Sequence, residues 1–246
     1  KKKIKRRKEG SSLLRPEYEE KIILSDVDIT INKGECVVII GESGSGKTLL
    51  LDILSGKDKE YEGELLLSPS VYLNDIAKRV KPSLTGKKAI PHILSMMGMK
   101  RKEISEIKDK VSDFSDLGDK LDTPFSKYSF GMKMRLVFSA SVFSGADLIL
   151  IDDMPSSFDR IFMKKVKDKI EELRLSGTSF VISDNSINLP RELSAKTISL
   201  SGGKMISMGN PTEETNAFLV KAFFESGRKL TEFYERQPLS AKNLSR

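Results

Sequence analysis

The sequence predicts an α/β fold with a mainly parallel sheet, an antiparallel β edge and an inserted helical subdomain. Two continuous apolar runs, Cys36–Ile40 (CVVII) and Leu148–Ile151 (LILI), have the character of strands buried on both faces. Stretches at helical spacing alternate with them, as a parallel sheet requires. Between Leu84 and Ala140 the character changes: Ile, Leu and Met recur at helical spacing among many Lys and Glu, with no strand-like run.

The elements follow in order. Lys21–Ile31 reads as extended, with Ile22, Ile23, Leu24, Val27, Ile29 and Ile31 among polar residues, and Asn32-Lys33-Gly34 is a turn signal. Cys36–Ile40 is a strand, a Gly-rich loop follows, and Thr48–Ser55 starts a helix. Leu65–Leu67 and Val71–Leu73 read as short strands. After the helical insertion come the strand Leu148–Ile151, an amphipathic helix over Phe162–Leu173 and a strand over Ser179–Ile182. Thr197–Met208 reads as a hairpin turning at Gly202-Gly203. The expected organisation is a basic extension (1–15), a core from 16–82 and 141–215, a helical subdomain over 83–140 and a tail (216–246).

Composition narrows the function. Among 246 residues, 38% are hydrophobic and 31% charged, as in a globular protein. No apolar run approaches the roughly 18–20 residues that cross a bilayer, so membrane attachment must come from a partner or from the surface of the fold. Cys36 is the single cysteine, which excludes an intrachain disulfide; beside Val and Ile it reads as a packed thiol. The net charge is +7, much of it in Lys1–Lys8. A solvated tail and an anionic lipid contact, at about 1 kcal/mol per basic side chain, both remain open for that run. Nucleic acid is not expected, because no aromatic-interleaved platform follows. No apolar stretch follows either, unlike a secretory signal.

Gly41-Glu42-Ser43-Gly44-Ser45-Gly46-Lys47-Thr48 fits G-x-x-x-x-G-K-[ST], between a buried strand and a helix. Glycines let the backbone N–H groups turn inward around phosphate oxygens, and the helix N-terminus favours an anion. Lys47 would reach the β- and γ-phosphates and the Thr48 hydroxyl would bind Mg²⁺. The candidate ligand is therefore MgATP or a similar nucleotide.

Two further segments narrow the family. Leu148-Ile149-Leu150-Ile151-Asp152-Asp153 is a strand ending in acid, the Walker B pattern. Tyr128-Ser129-Phe130-Gly131-Met132-Lys133-Met134-Arg135-Leu136 resembles the ABC signature, and Ser156-Ser157-Phe158-Asp159 falls where that family has its D-loop. From about Tyr18 to Gly209 the chain resembles ABC transporter ATP-binding subunits, built on a P-loop (RecA-like) core. The YSxGM form of the signature, with Pro82-Ser83-Leu84-Thr85-Gly86 and Asp116-Leu117-Gly118, is similar to the exporters of capsular and other surface polysaccharides. The resemblance implies a peripheral subunit on the cytoplasmic face of the bacterial inner membrane, working under a separate permease. It implies a head-to-tail homodimer with each ATP between the phosphate loop of one copy and Ser129 and Gly131 of the other. Asp152 would hold Mg²⁺ with Thr48, Asp153 would stand as general base, and Tyr18 has the spacing of the adenine-stacking aromatic.

Three positions depart from the family. Asp184 stands where its switch histidine is usual, Lys81 where counting back from Ser83 places its Gln, and Asp153 where Glu is common. The only histidine, His92, lies in the helical insertion. Binding rests on residues that are present. Hydrolysis needs water held in line, and the shorter Asp153 carboxylate retreats by roughly 1 Å, a misplacement that can cost about 10²-fold. Asp184 adds an anion where charge must be stabilised. A regulatory ABC module that binds ATP and hydrolyses little is therefore the alternative to a transport ATPase. A GTPase is disfavoured by the lack of an Asn-Lys-x-Asp motif, and a nucleic-acid ABC protein by room for only one cassette.

Overall fold

The computed structural model describes residues 2–7, 18–66, 69–155, 157–184 and 188–209. A six-stranded sheet forms the centre. Its strands are β3 (Cys36–Gly41), β4 (Ser70–Tyr72), β5 (Leu148–Asp152), β6 (Ser179–Ser183), β7 (Lys196–Ser201) and β8 (Lys204–Gly209). They lie in the order β4-β5-β6-β3-β7-β8, all parallel except the antiparallel β7–β8 hairpin. The phosphate-loop strand β3 is central and β5 lies two strands away, so both end on the same edge of the sheet. Ligands gather at that carboxyl edge in open parallel sheets.

A separate ribbon pairs β1 (Lys2–Arg7) with β2 (Tyr18–Leu24). The basic run is thus an edge strand over Lys2–Arg7 rather than a loose tail. Its register sets Lys5 opposite Glu20 and Arg6 opposite Glu19. Isolated bridging of Ser25 to Lys204 ties the end of this ribbon to β8.

The strands bury both faces. On one face Val37, Ile39, Leu150, Val181 and Ile198 pack with Leu50, Leu51 and Leu54 of α1 (Lys47–Leu54). On the other, Val38, Ile40, Ile149, Phe180 and Ile182 pack with the remaining helices. Each such side chain gains about 1.5–3 kcal/mol on leaving water. Cys36 is buried among them, and burial pushes its thiol up to about 12, which keeps it protonated and inert.

The helical layer comprises α2 (Leu73–Arg79), α3 (Gly86–Met96), α4 (Arg101–Ser115) and α5 (Phe130–Ser141). α6 (Arg160–Leu175) and the short α7 (Leu189–Glu192) flank the later strands. Ala89, Ile90, Ile93 and Leu94 form the buried stripe of α3 at helical spacing. α5 is buried nearly all round from Leu136 to Ser141, because it packs against α2, α3 and α4 at once.

Two short strands were misplaced by sequence. Leu65 and Leu66 take no regular structure, and Leu67 lies outside the described residues. Leu66 is almost fully exposed, so no neighbouring strand covers it. Val71–Leu73 is displaced by one residue: β4 ends at Tyr72 and Leu73 already opens α2. A short apolar run is equally buried as strand or helix, and periodicity cannot separate them.

Candidate functional site

The loop after β3 closes around backbone groups. Gly44 and Gly46 have φ of +83° and +104°, which side chains with a Cβ rarely adopt. A Cβ on Gly41 would stand 2.4 Å from the Leu200 carbonyl oxygen, so only glycine fits beside β7. Lys47 is buried and its ammonium donates to the carbonyls of Gly41 (2.7 Å) and Glu42 (3.1 Å). Those bonds hold a cation over the mouth of the loop. Ser45 is buried too, and its Oγ has no hydrogen-bond partner. An orphaned hydroxyl in a loop of inward-turned N–H groups is a group that a phosphate oxygen would satisfy. Ser43 is exposed on the loop tip.

Glu42 takes a supporting part. Its carboxylate accepts from Ser201 Oγ (3.1 Å) and the Gly202 N–H (3.0 Å), tying the loop to the β7–β8 turn. Partial burial alone would raise its pKa, but these bonds and nearby Lys47 outweigh it and hold the group below the ordinary range.

Thr48 and Asp152, far apart in sequence, meet at the sheet edge: Thr48 Oγ1 donates to Asp152 Oδ2 at 2.9 Å. Ser183 Oγ, on the neighbouring β6, donates to Asp152 Oδ1 at 2.5 Å. Asp152 therefore has both carboxylate oxygens directed. A hydroxyl and a carboxylate are hard oxygen donors, and Mg²⁺ is usually held by one or two such groups plus water and phosphate. Among the described residues there is no cluster of three His, Cys, Asp or Glu that could hold a metal by itself. The donor set fits Mg²⁺ arriving with a nucleotide.

Asp153 is exposed and has φ of +59°, uncommon for a residue with a Cβ. Its N–H donates to Ser183 at the carbonyl (3.1 Å) and the hydroxyl (3.2 Å), which holds that turn. Desolvation first, and then the Asp152 charge, push its carboxyl up against the pull of Lys47. Asp184 is half-buried, and its Oδ2 accepts from the Met154 N–H at 3.1 Å. It therefore serves as an anchor for the turn after β5.

Ser129 caps α5, its Oγ accepting from the Met132 N–H at 3.2 Å. Gly131 lies in the first turn of α5, where a Cβ would come 2.2 Å from Ser157 Oγ. Tyr18 opens β2 by its backbone, and its side chain lies outside the described residues, as does Ser156.

Residues 24–156 match the ABC transporter family. The chain belongs to that family. It is 35% identical over 190 residues to a teichoic acids export ATP-binding protein of Listeria monocytogenes, covering 77% of this chain and 57% of that protein. It is 31% identical over 199 residues to the protein of the same name in Shouchella clausii, covering 81% and 55%. The chain thus spans a little over half the length of these curated relatives. A solved ATP-binding cassette, a dimer in a post-hydrolysis state bound to ADP and phosphate, superposes with a TM-score of 0.69 at 19% identity. It covers 85% of this chain and 96% of that one, and shares the fold.

Within this ABC cassette the sequence missed two side chains. Ser183 is the register partner of Asp152 across β5–β6, a fact available only once the strands are paired. Asn74 pairs with the Asp152 peptide from the first turn of α2, its Nδ2 on the carbonyl (2.7 Å) and its Oδ1 on the N–H (3.0 Å). Lys81, reached by counting back, is exposed between α2 and α3. A carboxamide does reach the Asp152 peptide, and it comes from Asn74.

Proposed function

We propose that this chain binds MgATP on Gly41–Thr48 and hydrolyses it to energise export of a surface polysaccharide, of the teichoic acid kind, through a separate membrane permease. The carrying observation is the 2.9 Å meeting of Thr48 with Asp152 beside the buried Lys47. Lys47 would neutralise the β- and γ-phosphates, and Thr48 and Asp152 would hold Mg²⁺. The ion would supply charge neutralisation on the phosphate oxygens. Asp153 would accept the proton of the attacking water. A second copy, head to tail, would bring Ser129 and Gly131 to the nucleotide. The polysaccharide class follows from the teichoic acid export named for the relatives. The core of 16–82 and 141–215 with its 83–140 insertion, and a location at the inner face of the membrane, belong to the same reading. Contact of Lys1–Lys8 with anionic lipid rests on charge alone.

A second reading is favoured by Asp184, whose carboxylate is committed to Met154 and offers the phosphate no donor. Here the chain binds ATP and dimerises but hydrolyses little. An ATPase assay of the wild type beside Asp153→Asn separates the two. A wild-type rate well above that of the variant supports transport; equal rates leave the regulatory module.

A further inference from the structure

We infer that Asn74 is a positioning residue for the metal-holding carboxylate Asp152, acting through its backbone; the inference rests on the nucleotide-site reading above. β4 and β5 run parallel in register from Ser70↔Leu148 to Tyr72↔Leu150. The chain then leaves the sheet at Leu73 to start α2. The peptide groups of Asp152 on the β4 side are left without a backbone partner. Asn74, at the level of Asp152 in the same register, replaces that partner with its side chain.

The carboxamide is matched to a peptide at both ends. Its Oδ1 accepts from the Asp152 N–H at 3.0 Å and its Nδ2 donates to the Asp152 carbonyl at 2.7 Å. Only this orientation of the amide satisfies both groups, so the assignment of nitrogen and oxygen is fixed by the pairing. From the other side Ser183 holds Asp152 Oδ1 at 2.5 Å. Asp152 is thus held by its backbone from β4 and by its side chain from β6, which leaves Oδ2 aimed at Thr48. Tyr72 adds a phenol at 3.5 Å from the same Oδ2.

A carboxamide that only closed a strand end would serve stability. What sets Asn74 apart is where the closed end leads, since the residue it pins carries the metal donor. Groups that orient metal ligands alter metal affinity by 10–100-fold when removed. Among the described residues the Asn74 side chain bonds the Asp152 peptide and not the Gly41–Thr48 loop, so phosphate binding without metal should be independent of it.

The test uses the full chain with ADP bound and Mn²⁺ as the probe, free Mn²⁺ being read by electron paramagnetic resonance. ADP affinity in EDTA is measured alongside. Asn74→Ala is expected to weaken Mn²⁺ binding about tenfold and leave metal-free ADP affinity within about twofold. Asn74→Gln, which keeps the paired amide on a longer arm, should recover most of the loss. Native Mn²⁺ affinity in Asn74→Ala overturns the inference. So does an equal loss of metal-free ADP binding, which would mark a general role in folding. Asp152→Asn is the control: native Mn²⁺ binding there would sink the metal assignment itself, whereas a loss there with a native Asn74→Ala sinks only the part given to Asn74.

Discussion

The sheet edge around Asp152 and the start of α5, the two regions proposed to meet the nucleotide, differ in how far they are tied down within one chain. At the sheet edge, Thr48, Ser183 and Asn74 all bond to Asp152, and Lys47 bonds the Gly41 and Glu42 carbonyls of the loop. On α5, Ser129 is exposed and its hydroxyl bonds its own helix, and Phe130 beside it is 59% exposed. One half is preorganised by intrachain bonds; the other is preorganised in shape and presented outward. Damage to the first should therefore appear as lost nucleotide binding, and damage to the second as lost assembly or stability.

The largest effect should come from Lys47→Ala. Its ammonium is buried and charge-assisted, and such bonds carry up to about 3 kcal/mol. Nucleotide affinity by calorimetry should fall about 100-fold. Retained affinity would break the comparison at its firmer half.

The glycines sharpen it further. Gly41→Ala would drive a Cβ to 2.4 Å from the Leu200 backbone oxygen, whereas Gly131→Ala would meet chiefly Ser157 Oγ at 2.2 Å and its Cβ at 2.8 Å. Overpacking costs about 1–3 kcal/mol. A side chain can be cut away and a strand carbonyl cannot. Adding Ser157→Gly should restore most of the stability lost by Gly131→Ala in urea melts. Adding Ser45→Gly should not rescue Gly41→Ala.

The same contrast governs what could be read from sequence. The strand–loop–helix around Lys47 was legible because glycine positions and a buried apolar run are local signals. Asp152 was legible as the end of such a run. Asn74 and Ser183 were not, because their roles depend on which strands are neighbours. The β1–β2 ribbon was missed because a run of Lys and Arg has no strand signature of its own.

A smaller effect concerns hydrolysis. Asp184 Oδ2 accepts the Met154 N–H. A neutral histidine can accept through one ring nitrogen and donate through the other. Asp184→His therefore keeps the anchor while adding a donor and removing an anion. Single-turnover hydrolysis should rise about tenfold, the worth of one good hydrogen bond in the transition state. Asp153→Glu should act in the same direction, and the double variant need not be additive because both would face one phosphate on the proposed reading. A fall in both single variants would mean that the site is built differently rather than weakened.

The smallest effect lies where α5 is tied to α6. Arg135 of α5 is ion-paired with Asp159 and lies over the Phe162 ring at 4.2 Å. Asp159 also caps α6, its Oδ1 accepting from the Phe162 N–H at 2.9 Å. That backbone bond first, and then Arg135, hold the Asp159 carboxyl below its ordinary value. A depressed carboxylate pKa stabilises the folded state above the unfolded pKa, near 3.9, and the gain is lost as pH falls through the lower folded value. Asp159→Asn keeps the cap and removes only the charge. Its thermal midpoint should lie slightly below the wild type at pH 7, the gap closing below about pH 4 and shrinking in high salt. Asp159→Ala removes the cap as well, so its gap should be larger and should persist in acid, where a protonated carboxyl can still accept from Phe162. An Asn gap that survives acid would mean that the charge is not what joins α5 to α6, and that packing of Arg135 on Phe162 joins them instead.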